Sequence, residues 1–113
     1  MKLIIAIIQP HRLEEVKKEL YAADVNLITV FEVLGHGRQL GTHEFYRGIK
    51  ETGNLLRKIQ LEIAVNENFV EPTIQAIIKG ARTGEIGDGK IFVIDLPRVI
   101  AIRTGEEGAK AIG

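Results

Sequence analysis

Apolar and polar positions follow two rhythms along this chain. Leu3, Ile4, Ile5, Ala6, Ile7 and Ile8 form an unbroken apolar run, which predicts a strand from Lys2 to Gln9 without a polar face. Pro10 ends it. From Arg12 to Ala23, Leu13, Val16 and Leu20 recur at helical spacing. Glu14 and Glu15 come early and Lys17 and Lys18 later, an order that suits the helix dipole. LITVFEVL, Leu27 to Leu34, is again strand-like. Leu56 to Val65 alternates strictly, with Ile59, Leu61, Ile63 and Val65 facing one way and Lys58, Gln60, Glu62 and Ala64 the other. A second helix is predicted from Val70 to Ala81, striped by Val70, Ile74 and Ile77, with Pro72 in its first turn and Asn68 as a nearby cap. Lys90 to Leu96 is a strand, Pro97 breaks it, and Val99 to Arg103 is a last short extended segment.

The stretch from Gly35 to Asn54 has neither rhythm and is rich in glycine, charge and amide. A connection this long inside a compact domain is usually functional or mobile. The element order predicts an α+β, ferredoxin-like (βαββαβ) sandwich with a long loop between strands 2 and 3. In that arrangement both helices cover one sheet face. Because the first two strands are apolar on both sides, the other face needs a partner, and a second copy of the chain is the simplest one.

Composition narrows the function. A chain of 113 residues is one domain, 1–113. Fifteen basic and fifteen acidic residues balance, which argues against nucleic acid as a partner. There is no cysteine and no serine, so disulfides and Ser or Cys nucleophiles are excluded. The opening apolar run is short for a signal core and nothing reaches the length of a membrane span, so the cytoplasm is the expected compartment. His11, His36 and His43 are the only histidines and lack convincing zinc spacing; solvated or hydrogen-bonding roles fit them better.

The strongest chemical signal is TGEIGDGKIF, Thr83 to Phe92. Gly84, Gly87 and Gly89 allow positive φ and close backbone approach, and Lys90 adds a point charge at the exit. This outlines an anion cradle, though not the Walker kind, which leads through Lys-Ser/Thr into a helix. A plain turn between helix and strand would use the same glycines. Arg38, Lys58, Lys90 and Arg103 lie near Gly35, Gly37, Gly41, Gly87 and Gly89 or at element edges, and their coincidence favours phosphate or carboxylate binding.

The same string closely resembles a signature of the PII nitrogen-regulatory proteins, and the resemblance continues through VLGHGRQLG (Val33 to Gly41), FYRG (Phe45 to Gly48) and IRTGEEG (Ile102 to Gly108). It covers nearly the whole chain without gaps. It implies a homotrimeric, non-enzymatic sensor of ATP, ADP and 2-oxoglutarate, with nucleotide in clefts between neighbouring subunits. Gly37, Arg38, Gln39, Gly87, Asp88, Gly89, Lys90 and Arg103 would hold the phosphates. Thr29, Gly35 and Ala64 would surround base and sugar, Gln39 would help hold Mg²⁺, and Lys58 would pair with 2-oxoglutarate. Residues 37–54 resemble the family's mobile T-loop, which docks on targets such as an ammonium channel or a nitrogen-assimilation enzyme, with Arg47 matching the pore-inserting arginine.

The chain also departs from the family pattern. Ala101 stands where an arginine is usual, Glu51 where many members carry the uridylylated tyrosine, His36 where phenylalanine is common and Leu40 where lysine is common. The expectation is therefore a sensor switched by ligands and not by covalent modification of the loop. The alternatives are a nucleotide-only sensor, a metal-related or structural trimer of the same fold, and a small phosphotransfer or hydrolytic enzyme built on the glycine loop.

Overall fold

The computed structural model describes residues 1–36 and 55–113. Strand β1 runs Lys2–Ile8, helix α1 Leu13–Ala22, β2 Thr29–Gly35, β3 Leu56–Val65, helix α2 Val70–Ala81, β4 Gly89–Asp95 and a short helix α3 Ala109–Ile112. Single 3-10 turns, Pro10–Arg12 and Glu67–Phe69, lead into α1 and α2. The four strands form one sheet of order β2-β3-β1-β4, antiparallel at every pairing. This is the ferredoxin-like sandwich predicted by the element order.

Side-chain alternation sorts the core. Ile4, Ala6 and Ile8 of β1 and Ile59, Leu61, Ile63 and Val65 of β3 are buried beneath Val16 and Leu20 of α1 and Ala76, Ile77 and Ala81 of α2. The helices meet at Gly80, where a Cβ would lie 2.6 Å from the Val16 Cα. Arg12 Nε donates to the Gly80 carbonyl at 2.9 Å, satisfying an acceptor of α2's last turn with a cation, as the helix dipole favours. Gln9, just before Pro10, is extended at φ −70°, ψ 139°, as a residue preceding proline should be.

Among the described residues, no long helix packs on the other face of the sheet. The register puts Leu3, Ile5 and Ile7 of β1 beside Ile94, Phe92 and Lys90 of β4 and Ala64, Glu62 and Gln60 of β3. Phe31 and Val33 of β2 continue this face opposite Gln60 and Lys58. Phe31, Phe92 and Ile94 keep 41–49% of their surface exposed, so the apolar second face read from the sequence is present.

Three local expectations change. Val99–Arg103 is not extended: only Ile100 bridges, to Glu107, and Ile102–Thr104 turn. The turn is closed by the Ala101 N–H to the Glu106 carbonyl at 2.9 Å and the Gly105 N–H to the Ala101 carbonyl at 2.8 Å. Asn68 lies inside the 3-10 turn, and the residue capping α2 is Phe69, with no side-chain hydrogen bond. The terminal helix α3 follows Gly108, whose φ of 88° only glycine adopts readily.

Candidate functional site

The glycine loop joins α2 to β4 through backbone that needs glycine. Gly84, Gly87 and Gly89 have φ of 92°, 105° and 110°. At Gly89 a Cβ would sit 1.8 Å from the Ile7 carbonyl oxygen, because Gly89 pairs with Ile8 across the sheet. Here glycine is a steric requirement of the β1–β4 ladder as well as a conformational one.

Asp88 fastens the loop from within. Its carboxylate accepts the Thr83 N–H at 2.8 Å, the Gly84 N–H at 2.8 Å and the Thr83 hydroxyl. The Glu85 N–H in turn donates to Thr83 Oγ1 at 3.1 Å. Desolvation pushes the Asp88 carboxyl up, but the hydrogen bonds from Thr83 and Gly84, helped by the charge of Arg12, outweigh it and hold it below the ordinary carboxylate range. Asp88 is thus an ionised anchor turned toward its own loop.

The loop forms one wall of an open cleft of about 630 Å³. Gly87, Asp88, Gly89 and Lys90 line that wall, Gly35 and His36 at the end of β2 line another, and Lys58 of β3 sits between them. Ile7 and Phe92 supply apolar surface, while Glu85 and Ile86 form part of the loop-side rim. No atom of the described residues lies within 4 Å of where a Gly35 Cβ would stand. Lys58 donates to Gln9 Oε1 at 3.3 Å, and burial lowers its pKa. An anion bound nearby would offset that desolvation. Two lysines, a glycine-rich backbone and adjacent apolar surface suit an anion with an apolar portion.

The predicted site residues fall into two groups. Gly35, Lys58, Gly87, Asp88, Gly89 and Lys90 converge on the cleft. Thr29 and Ala64 do not: Thr29 pairs with Glu62, Gly35 with Leu56, and the six intervening steps separate the two ends of β2 by about 20 Å. Arg103 lies beyond β4, which leaves the sheet at Asp95 beside Lys2, whereas Gly89 pairs with Ile8 at the other end. Its turn is braced by the two-pronged pairing of Arg98 with Glu107, at 3.1 and 2.8 Å. The segment continues to Ala109, whose carbonyl accepts from Asn66 Nδ2 at 3.3 Å. Gly37, Arg38, Gln39 and Gly41, with Arg47 and Glu51, lie outside the described residues.

Three contributors escaped the sequence reading. Gln9 meets Lys58 because Ile8 pairs with Ile59, a neighbourhood that register alone reveals. Thr83 serves Asp88 across five residues and two glycines. His36 lines the cleft, although a lone histidine after a strand carries no pattern. Among the described residues, no group of three or more His, Cys, Asp or Glu could hold a metal, and no helix is long and apolar enough to cross a membrane.

The fold and the open lysine-and-glycine cleft where β2, β3 and the α2–β4 loop meet define a ferredoxin-like sandwich with a solvent-open pocket at one end of its sheet. Comparison with known proteins specifies the family: the chain belongs to the nitrogen regulatory protein P-II family, whose model matches residues 1–106. It is 52% identical over 112 residues to nitrogen regulatory protein P-II 2 of Methanothermobacter thermautotrophicus, covering 99% of this chain and 97% of the relative. Nitrogen regulatory protein GlnK1 of Methanosarcina mazei is also 52% identical, over 114 residues, with the same coverage. Among solved structures, Arabidopsis thaliana PII bound to citrate superimposes with a TM-score of 0.78 at 38% identity, covering 96% of this chain and 86% of that one. The family resemblance and the fold read from the sequence therefore both hold.

Proposed function

We propose that this protein is a non-enzymatic sensor of adenine nucleotide and 2-oxoglutarate that regulates nitrogen metabolism. Its homotrimer would bind ATP or ADP in clefts between copies, and residues 37–54 would engage a target such as an ammonium channel or a nitrogen-assimilation enzyme. The observation carrying this reading is the division of the predicted site residues. Gly87, Gly89, Lys90, Gly35 and Lys58 share one cleft, while Thr29, Ala64 and Arg103 belong to the far end of the sheet. One copy cannot wrap a nucleotide with both groups, but two copies with the end of one sheet meeting the opposite end of the next can. The uncovered face bearing Leu3, Ile5, Phe31, Phe92 and Ile94 supports such association.

The cleft fits the ligands chemically. Lys90 and the backbone N–H groups of the glycine loop suit phosphate oxygens, and Lys58 suits a carboxylate. Mg²⁺ prefers oxygen donors and substrate phosphates, so Gln39 and the nucleotide would hold it. The ion would join the phosphates to 2-oxoglutarate. Binding of the correct ligand set would shift the population of the 37–54 segment toward the form a target accepts. The citrate of the Arabidopsis protein is a carboxylate ligand in a relative and is compatible with this reading.

Calorimetry with ATP, ADP and 2-oxoglutarate, with and without Mg²⁺, tests the proposal. ATP should bind without turnover, and 2-oxoglutarate should bind only when Mg²⁺ and ATP are present. Steady phosphate release would point instead to an enzyme, and no nucleotide binding would reject the sensor reading.

A further inference from the structure

We infer that the turn carrying Arg103 docks on a second copy of the chain by seating Ile102 in the apolar groove between α2 and β4, so that a single contact joins the copies and delivers Arg103 to the cleft. The inference builds on the shared-cleft reading above and names the contact that would make it. Among the described residues Ile102 is wholly exposed, at 101%. Its turn is nonetheless held firmly by Arg98 on Glu107 and by the backbone bonds of Ala101 to Glu106 and of Gly105 to Ala101. A preordered turn loses little conformational freedom on docking. It therefore presents Ile102 as a fixed apolar knob.

The matching groove, of about 450 Å³, runs along the edge of the sheet on its helix side. Ile91 and Val93 point to that side because they pair with the buried Ala6 and Ile4. Ile74 and Ile78 of α2 line the opposite wall. Val93 stays 45% exposed because β4 is an outer strand of the sheet. Asp88, Gly89 and Lys90 line this groove and the anion cleft alike, so the start of β4 is the ridge between them. A turn straddling that ridge puts Ile102 on the groove side and Arg103, the next residue, on the cleft side. The chain's own turn is tied down elsewhere. Asn66, which follows the Val65 partner of Lys2, donates to the Ala109 carbonyl, and the Gly108 N–H donates to the Val99 carbonyl. Lys2 pairs with Asp95, six steps along β4 from Gly89 and about 20 Å away. The occupant is thus the turn of a neighbouring copy, and a knob-to-groove contact of this head-to-tail kind closes into a ring when the rotation permits.

Cysteine cross-linking tests this, since the chain has no cysteine of its own. Ile102→Cys combined with Ile78→Cys, treated with a short bismaleimide at low micromolar concentration, should give covalent dimers and trimers on a denaturing gel. Ile102→Cys alone, and Ile102→Cys combined with Tyr21→Cys on the exposed surface of α1, should stay monomer-sized. Ladders from the double variant no stronger than those of the two controls would overturn the inference. Calorimetry with ATP on the wild type separates the two readings. ATP binding without the specific cross-link would leave the nucleotide reading standing and reject this contact. The specific cross-link without ATP binding would establish the contact and reject the nucleotide reading.

Discussion

Asp88→Ala tests whether the glycine loop is a held cradle or merely a flexible turn. The substitution removes the acceptor for the Thr83 N–H and hydroxyl and the Gly84 N–H. Hydrogen bonds to a charged group contribute about 1.5–3 kcal/mol each when shielded, but this loop is largely exposed, so about 2–3 kcal/mol in all is appropriate. Loss of the anchor releases Gly84 and Gly87 in the free protein, and a ligand must then order them again, at about 1–2 kcal/mol per residue. Removing a carboxylate near the phosphates works the other way, by about 0.5–1 kcal/mol at a separation near 6 Å in water. The net expectation is ATP binding weaker by about 1–3.5 kcal/mol, or roughly fivefold to a few hundredfold. The sign is the diagnostic feature, because deleting negative charge should otherwise help a polyanion bind. Calorimetry gives the affinity, and hydrogen exchange at the Gly84 and Gly87 amides reports loop order. Asp88→Asn keeps an acceptor oxygen and should fall between the two. Unchanged or tighter ATP binding by Asp88→Ala, with faster exchange at Gly84, would refute the idea that loop order supports the cleft.

Gly89→Ala should destabilise the fold by more than about 3 kcal/mol in urea titration, since the new Cβ would overlap the Ile7 carbonyl at a φ that alanine avoids. Thr73→Val should raise stability by about 1 kcal/mol in the same assay, because the fully buried Thr73 hydroxyl has no hydrogen-bond partner among the described residues. Lys58→Met should abolish 2-oxoglutarate binding, spare ATP and raise the melting temperature of the ligand-free protein slightly. The folded-state pKa of Lys58 is lowered by burial, so its charged form is penalised at neutral pH. That penalty fades as pH rises through the lowered value toward the unfolded one, and the stability gap between mutant and wild type should close over that alkaline window.

How much was legible in the sequence depended on the range of the forces involved. Strict alternation in β3 exposed both its buried face and the polar row that carries Lys58, because period two survives any tertiary context. The need for glycine at position 89 was also visible, although its steric cause, the Ile7 carbonyl, required the sheet register. Ile100 and Ile102 alternate with small or polar residues and so imitate a strand. What bends them into a turn is the Arg98–Glu107 pairing and two backbone hydrogen bonds, none of which leaves a periodic trace. The family resemblance put Asp88 at the phosphates, and the structure adds what local sequence does not display, that its carboxylate accepts from Thr83 and Gly84. The separation of Thr29, Ala64 and Arg103 from the cleft likewise follows from strand order and register, not from local composition.

That separation supports the central proposal, a nucleotide cleft completed by two copies, and mixed assemblies test it most directly. Lys90→Ala and Arg103→Ala chains, separately tagged, should each bind ATP weakly as uniform assemblies. Co-expressed and purified through both tags, they should regain wild-type affinity at about one cleft in three of each mixed trimer, wherever an intact Lys90 faces a neighbour's intact Arg103. Calorimetry would resolve this as a minor tight phase. Its absence from verified mixed assemblies, with both uniform variants impaired, would mean that Lys90 and Arg103 act within one chain and would contradict the shared cleft.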